Sequence, residues 1–164
     1  MTNLINGYSG VLPSGIDDNA ASDKGVPLGT LIIDVDNVKK YRRVKVKTGI
    51  TVAINSVVYH DATNYWTVTN SLSSIGRNHV AGVAQNALTA LYYGYVQTHG
   101  AATPLKATTT NTGFAVSDIA VPSSTATLVA VVAAGTAPTY RVVGWYHTAA
   151  NSAAGTVPIY LVLD

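Results

Sequence analysis

The 164-residue chain has no cysteine and no glutamate, a single methionine and a single phenylalanine, and only 11% of its residues are charged. Without cysteine there is no disulfide framework, no thiolate metal site and no cysteine nucleophile. That fits folding in a reducing cytoplasm. The charged share is less than half of the roughly 25% usual for a soluble chain. Beside a hydrophobic share of 48%, it argues against disorder, which needs few apolar residues and much charge. Glu is absent and Met and Gln are rare while Val, Thr and Gly abound, which argues against a helical bundle even with plentiful Ala. The longest apolar run, Leu128 to Ala134, falls far short of the ~18 residues needed to span a bilayer. No basic, apolar leader opens the sequence. A soluble intracellular product with no membrane contact is expected.

What is present organises into two parts. Residues 1 to 28 read as an extended, irregular arm, punctuated by Gly7, Gly10, Pro13, Gly15, Gly25 and Pro27. Leu4-Ile5, Val11-Leu12 and Ile16 are spaced apolar anchors within it. Such an arm either lies along a surface or is a plain disordered end. Residues 29 to 164 read as a single β domain. Thr30 to Ile33 has the continuous apolar pattern of a strand buried on both faces. Arg43-Val44-Lys45-Val46-Lys47 alternates, which predicts valines inward and bases outward. Ile50 to Ile54 follows as a strand. Val57 to Tyr59, the loop Asp61 to Asn64 and Tyr65 to Val68 form a hairpin, with Trp66 and Val68 sharing a face. Val80 to Ala84, Tyr92 to Val96, Leu128 to Ala134 (a buried strand), Tyr140 to Tyr146 and Val157 to Leu163 complete the set. Gln85 to Leu91 is either one helical turn or a loop. The fold class is all-β: a compact β-sandwich or β-barrel of about 8–10 short strands with the irregular arm in front.

Catalytic signals are sparse. Asp34 and Asp36 place two carboxylates on one side of an extended segment, a start for a hard-cation site. No further acid follows at a suitable interval, and Lys39, Lys40, Arg42 and Arg43 stand ready to neutralise them, so solvated or paired carboxylates are the better reading. His60, His79, His99 and His147 stand apart, without metal-ligand spacing. Gly7-Tyr8-Ser9-Gly10 lacks the closing glycine of a nucleophile elbow, having Val11 instead. No phosphate-binding glycine loop occurs. No catalytic residue, no metal and no cofactor are expected, and the chain does not read as an enzyme.

Charge is unevenly placed. Lys39, Lys40, Arg42, Arg43, Lys45 and Lys47 put six of the ten basic residues within nine positions. A solvated or edge strand comes first among the readings of this strip, an acidic protein partner second and nucleic acid third. Only Tyr41 interleaves an aromatic, so no nucleic-acid contact is expected.

Ala81-Gly82-Val83-Ala84, followed by Leu91-Tyr92-Tyr93-Gly94-Tyr95-Val96-Gln97-Thr98-His99-Gly100, resembles a signature of tailed-phage head proteins. Val142-Val143-Gly144-Trp145-Tyr146 and Val157-Pro158-Ile159-Tyr160-Leu161 look like the closing strands of the same proteins. The resemblance covers residues 80–163 and is to capsid decoration (cement) proteins. It implies a structural virion protein that binds the outer capsid surface and stabilises the DNA-filled head, with the phage major capsid protein as partner. It transfers no catalytic residue. A homo-oligomer is expected, a trimer suiting sites of threefold symmetry. Leu4, Leu12 and Ile16 of the arm, with Lys39, Lys40, Arg42 and Arg43, are the candidate capsid-binding residues. The alternative is a phage tail, baseplate or host-adhesion module. A carbohydrate-binding version of it would use Trp66, Tyr92, Tyr93 or Trp145, although core packing explains alternating strand aromatics more simply.

Overall fold

The computed structural model describes residues 19–22, 25–34, 37–71, 79–104, 115–123, 128–132, 136–146 and 155–163. Ten strands make up its regular structure, and no helix occurs among the described residues. They are β1 (Leu31–Asp34), β2 (Lys39–Val46), β3 (Val57–His60), β4 (Thr67–Thr69), β5 (Val80–Ala84), β6 (Tyr93–Ala102), β7 (Ile119–Pro122), β8 (Val129–Val132), β9 (Gly144–Tyr146) and β10 (Ile159–Val162). The all-β expectation holds, and the choice between sandwich and barrel resolves in favour of a barrel with an extension.

Strands follow the order β1-β2-β4-β3-β5-β6-β10-β9-β7-β8, and β2 also pairs with β6. That second pairing closes β2, β4, β3, β5 and β6 into a five-stranded barrel, antiparallel except between β2 and β4. Closure removes the exposed edges of those five strands. Strand β6 belongs to both halves of the molecule. Tyr93 to Gln97 complete the barrel wall beside β2, while His99 to Ala102 carry β10. From β10 the sheet continues outward through β9 and β7 to β8.

Two apolar cores follow from strand alternation. One fills the barrel: Val44, Val46, Val52, Val58, Val68, Ala81, Ala84, Leu88 and Val96. The other lies against the opposite face of β3 and β5 and beneath the extension: Val57, Tyr59, Val80, Val83, Ala102, Ala120, Val129, Val143, Tyr146, Val157, Ile159, Leu161 and Leu163. Val80 and Val83 share a core although three residues apart. The register between β3 and β5 slips between Val58 and Tyr59, leaving Ala81 unpaired as a β-bulge. A bulge shifts the alternation by one and bends the strand, as a tight barrel requires. A second slip, between Lys40 and Tyr41, leaves Thr98 unpaired on β6.

Several segments depart from the sequence reading. The Thr30–Ile33 run forms β1, but Leu31, Ile32 and Ile33 are only half-buried, because β1 is an edge strand. The Leu128–Ala134 run likewise gives an outermost strand, β8, in which only Val129 is buried. Ile50 to Ile54 is not a strand: Val52 makes an isolated bridge to Leu88, and Ile54 is exposed. That bridge also settles Gln85 to Leu91 as a loop. The hairpin turn runs through Trp66, two residues past the expected loop, closed by the Thr67 amide donating to the Asn64 carbonyl at 2.9 Å. Strand β7 had no signal, since Ile119-Ala120-Val121-Pro122 is short and ends in proline. The arm residues Leu4, Leu12 and Ile16 lie outside the described residues.

Candidate functional site

Strand β2 distributes the basic strip to several different places. Lys39 and Lys40, at its start, are half-exposed. Arg43 was expected to point outward with the other bases; instead it is wholly buried. It stands opposite Tyr95 on β6, where its Nη1 donates to the Tyr95 hydroxyl at 3.3 Å. Its guanidinium lies over the rings of Tyr93 and Tyr95, at 5.4 and 5.6 Å. A planar, weakly hydrated guanidinium tolerates such stacking as an ammonium does not. Arg43 is therefore part of the packed wall and is removed from the candidate surface. Lys45 lies over the Tyr93 ring at 5.1 Å. Lys47 Nζ is 2.5 Å from the Asp61 carboxylate. The strip is not one continuous patch.

Arg42 goes elsewhere. It shares the inner face of β2 with Val44 and reaches the open end of the barrel. There a cavity of about 150 Å³ is lined by Arg42, His60, Tyr65, Trp66, Val80, Ala81, Thr98, Arg141 and Leu163. Barrel mouths are common ligand positions because every strand contributes one end. His60 comes from the end of β3, Trp66 and Tyr65 from the turn into β4, Ala81 and Thr98 from the two bulges. Arg141 comes from the segment before β9. It is anchored by Nη2 donating to the Leu163 carbonyl at 2.6 Å and Nη1 to the Val80 carbonyl at 3.4 Å. Arg42 Nη1 donates to the Gly29 carbonyl at 3.1 Å, and its guanidinium lies 5.6 Å over the Trp66 ring.

His60 is the buried ring of this group. Its ring stacks on Tyr65, with centroids 3.8 Å apart and planes 13° from parallel, and meets Trp66 edge-on at 5.8 Å. Nδ1 lies 2.5 Å from the Tyr65 carbonyl oxygen. A carbonyl only accepts, so Nδ1 carries the proton. In the neutral ring Nε2 then keeps its lone pair. Burial pushes the imidazole below its ordinary pKa; the Tyr65 carbonyl opposes this, and the charges of Arg141, His79 and Arg42 reinforce it. The only hydroxyl among the described aliphatic lining, that of Thr98, donates to the Lys40 carbonyl at 3.4 Å. The mouth brings together two guanidinium groups, flat rings and a neutral imidazole nitrogen able to accept.

The remaining candidates disperse. Asp34 is buried and accepts from the Asn37 amide at 3.3 Å and Asn37 Nδ2 at 2.8 Å; Asp36 is outside the described residues. His99 is on the outer side of β6, 3.1 Å from the Tyr160 hydroxyl, and His147 is outside the described residues. No group of three metal-ligating side chains occurs among the described residues. Of the aromatics considered for sugar binding, Trp145 is exposed and stacks on its cross-strand neighbour Tyr160 at 5.3 Å and 15°. Tyr92, Tyr93 and Trp66 are half-buried.

Sequence reasoning missed the mouth because Arg42, His60 and Arg141 are far apart in the chain and become neighbours only when the barrel closes and the extension folds back. The one local hint was Tyr65-Trp66 following His60-Asp61 in a turn, where aromatics have no strand face to occupy. In comparisons with protein families, with curated proteins and with solved structures, this chain matches none.

Proposed function

We propose that this chain is a structural virion protein that binds the outer surface of a tailed-phage capsid and stabilises the DNA-filled head. The observation that carries the reading is the placement of the segments that bear the resemblance. They form β5, β6, β10 and β9, which are consecutive neighbours in the sheet. A likeness scattered through the sequence is thus one contiguous block of structure, with Tyr146, Ile159 and Leu161 buried in the core that backs it. Two separate cores suit a module that must stay rigid while many copies bridge capsid subunits, each interface adding through effective concentration.

In this reading the partner is the major capsid protein, the protein works as a homo-oligomer (a trimer suits threefold sites), and it is made in the host cytoplasm before joining the shell. Lys39, Lys40 and the arm with Leu4, Leu12 and Ile16 are proposed for the capsid-facing side. Sedimenting decoration-free, DNA-filled heads with the purified chain tests this. The full chain should pellet with heads, and deletion of residues 1–20 should lower occupancy; a full chain left in the supernatant contradicts the reading.

The exposed Trp145–Tyr160 stack favours one second reading, a tail or host-adhesion module that holds sugar rings against that pair. A glycan array with Trp145→Ala as control decides it: a hit lost in the variant supports adhesion, and no hit removes it.

A further inference from the structure

We infer that the outward face of the extension, from Ile119 across Trp145 and Tyr160 to His99 and Lys40, is a docking surface for a protein partner with an apolar centre and a carboxylate at its rim. On the capsid reading, on which this rests, the partner is the shell protein, and this face is the side of the molecule that meets it.

A row of cross-strand neighbours sets the face. Ile119 stands opposite Trp145, Trp145 opposite Tyr160, and Tyr160 opposite Ala101. Residues directly opposite in antiparallel strands share a face, so the four form one line across β7, β9, β10 and β6. The alternate positions Ala120, Ile159 and Ala102 belong to the core on the other side. An antiparallel sheet with one face on a core ordinarily presents polar residues on its other face. Here the outward line carries no charge. Trp145 and Ala101 are exposed, and Ile119 and Tyr160 are half-buried. Uncharged aromatic surface of this kind marks the centre of a protein contact.

The rings are already set in place. Trp145 stacks on Tyr160 at 5.3 Å and 15°, Tyr160 meets His99 edge-on at 5.3 Å and 82°, and the Tyr160 hydroxyl lies 3.1 Å from His99 Nε2. Each ring holds the next, so little side-chain freedom is lost when a partner settles on them.

Charge identifies the partner. Lys40 sits between Ile33 and His99 in the sheet, so neither cross-strand neighbour is an acid. It is half-exposed and makes no ion pair among the described residues. The face thus has an apolar centre and a basic border. A carboxylate complements that border, and a lysine or arginine opposes it. A nucleic acid requires a row of cations for its phosphates, whereas this line of described residues ends on one lysine. A neutral sugar on the rings leaves Lys40 unmatched.

The test is sedimentation of decoration-free, DNA-filled heads with the full chain and its variants, at low and at high salt. Trp145→Ala should weaken binding about tenfold or more at both salts. Trp145→Tyr should recover most of it, which separates a lost contact from lost folding. Lys40→Glu should weaken binding more at low salt than at high, because salt screens the new repulsion. Ile54→Ser, at an exposed apolar position in the loop between β2 and β3, should bind as the parent does. Parent-like binding by both Trp145→Ala and Lys40→Glu overturns the inference and leaves the capsid reading standing. Loss in Trp145→Ala with none in Lys40→Glu overturns the acidic partner, and an equal loss in Ile54→Ser overturns the choice of face. A glycan-array hit that disappears in Trp145→Ala assigns the rings to a sugar and likewise overturns it. A parent chain that never pellets removes the capsid reading and this inference with it.

Discussion

The indole of Trp66 rests directly on the Cα of Gly29: a Cβ built there would stand 2.3 Å from Trp66 Cε2. Gly29 also has φ +81, a conformation that suits glycine. The same residue gives its carbonyl to Arg42, so one glycine sets both the ring and the guanidinium at the barrel mouth.

Gly29→Ala therefore combines a strained backbone with an overlap against a large ring. Each effect costs about 1–3 kcal/mol, and the indole must shift to admit the methyl group. Urea denaturation should show a loss in the range of about 2–4 kcal/mol, with a changed Trp66 fluorescence maximum in the folded state.

Gly144→Ala should be worse. Its Cβ would lie 2.0 Å from the Tyr160 carbonyl oxygen, and backbone cannot swing aside as a side chain can. The β9–β10 pairing that joins Tyr160 to Trp145 must open. Soluble yield should collapse, or the urea midpoint should fall by more than in Gly29→Ala. An unchanged midpoint contradicts the closeness of these strands.

The fold was partly legible because periodicity survives where strands are long or well bounded. Val80 to Ala84 emerged with the expected limits, and the hairpin strand from Val57 began where expected, while its return strand starts at Thr67, two residues late. Edge strands misled: β1 and β8 are apolar runs that look buried, yet one side of each has no neighbour. Arg43 misled for the opposite reason. Alternation says which face a residue takes, and not whether another layer, here Tyr93 and Tyr95, covers that face. The barrel mouth was illegible because it depends on closure between β2 and β6 and on two bulges, which leave no mark in sequence spacing.

Acid should expose the Lys47–Asp61 pair. The hydrogen bond from Lys47 holds the Asp61 carboxyl below its ordinary value of 3.8. A carboxyl depressed on folding stabilises the fold above its unfolded pKa and loses that contribution as pH drops through the folded one. Asp61→Asn should thus have a flatter stability curve below about pH 4 than the parent, measured as urea midpoint against pH. Parallel curves contradict the pairing.

Alkali should expose Tyr41. Burial, with the charge of Asp34 adding to it, pushes this phenol up to about 12 from 10.0. A group raised on folding stabilises the fold below its unfolded pKa and ceases to as pH climbs through the folded one, so the contribution fades between pH 10 and about 12. Ultraviolet difference titration of the parent against Tyr41→Phe should remove a late-ionising component. Loss of an early component instead contradicts its burial.

The proposed adhesion of this β module to a phage head is best examined by cryo-electron microscopy of tailed-phage particles from cells that make the chain. Density for the barrel and its extension is expected on the outer face of the shell, repeated at symmetry-related positions. Particles whose heads carry none of it, or density confined to the tail, contradict the proposal.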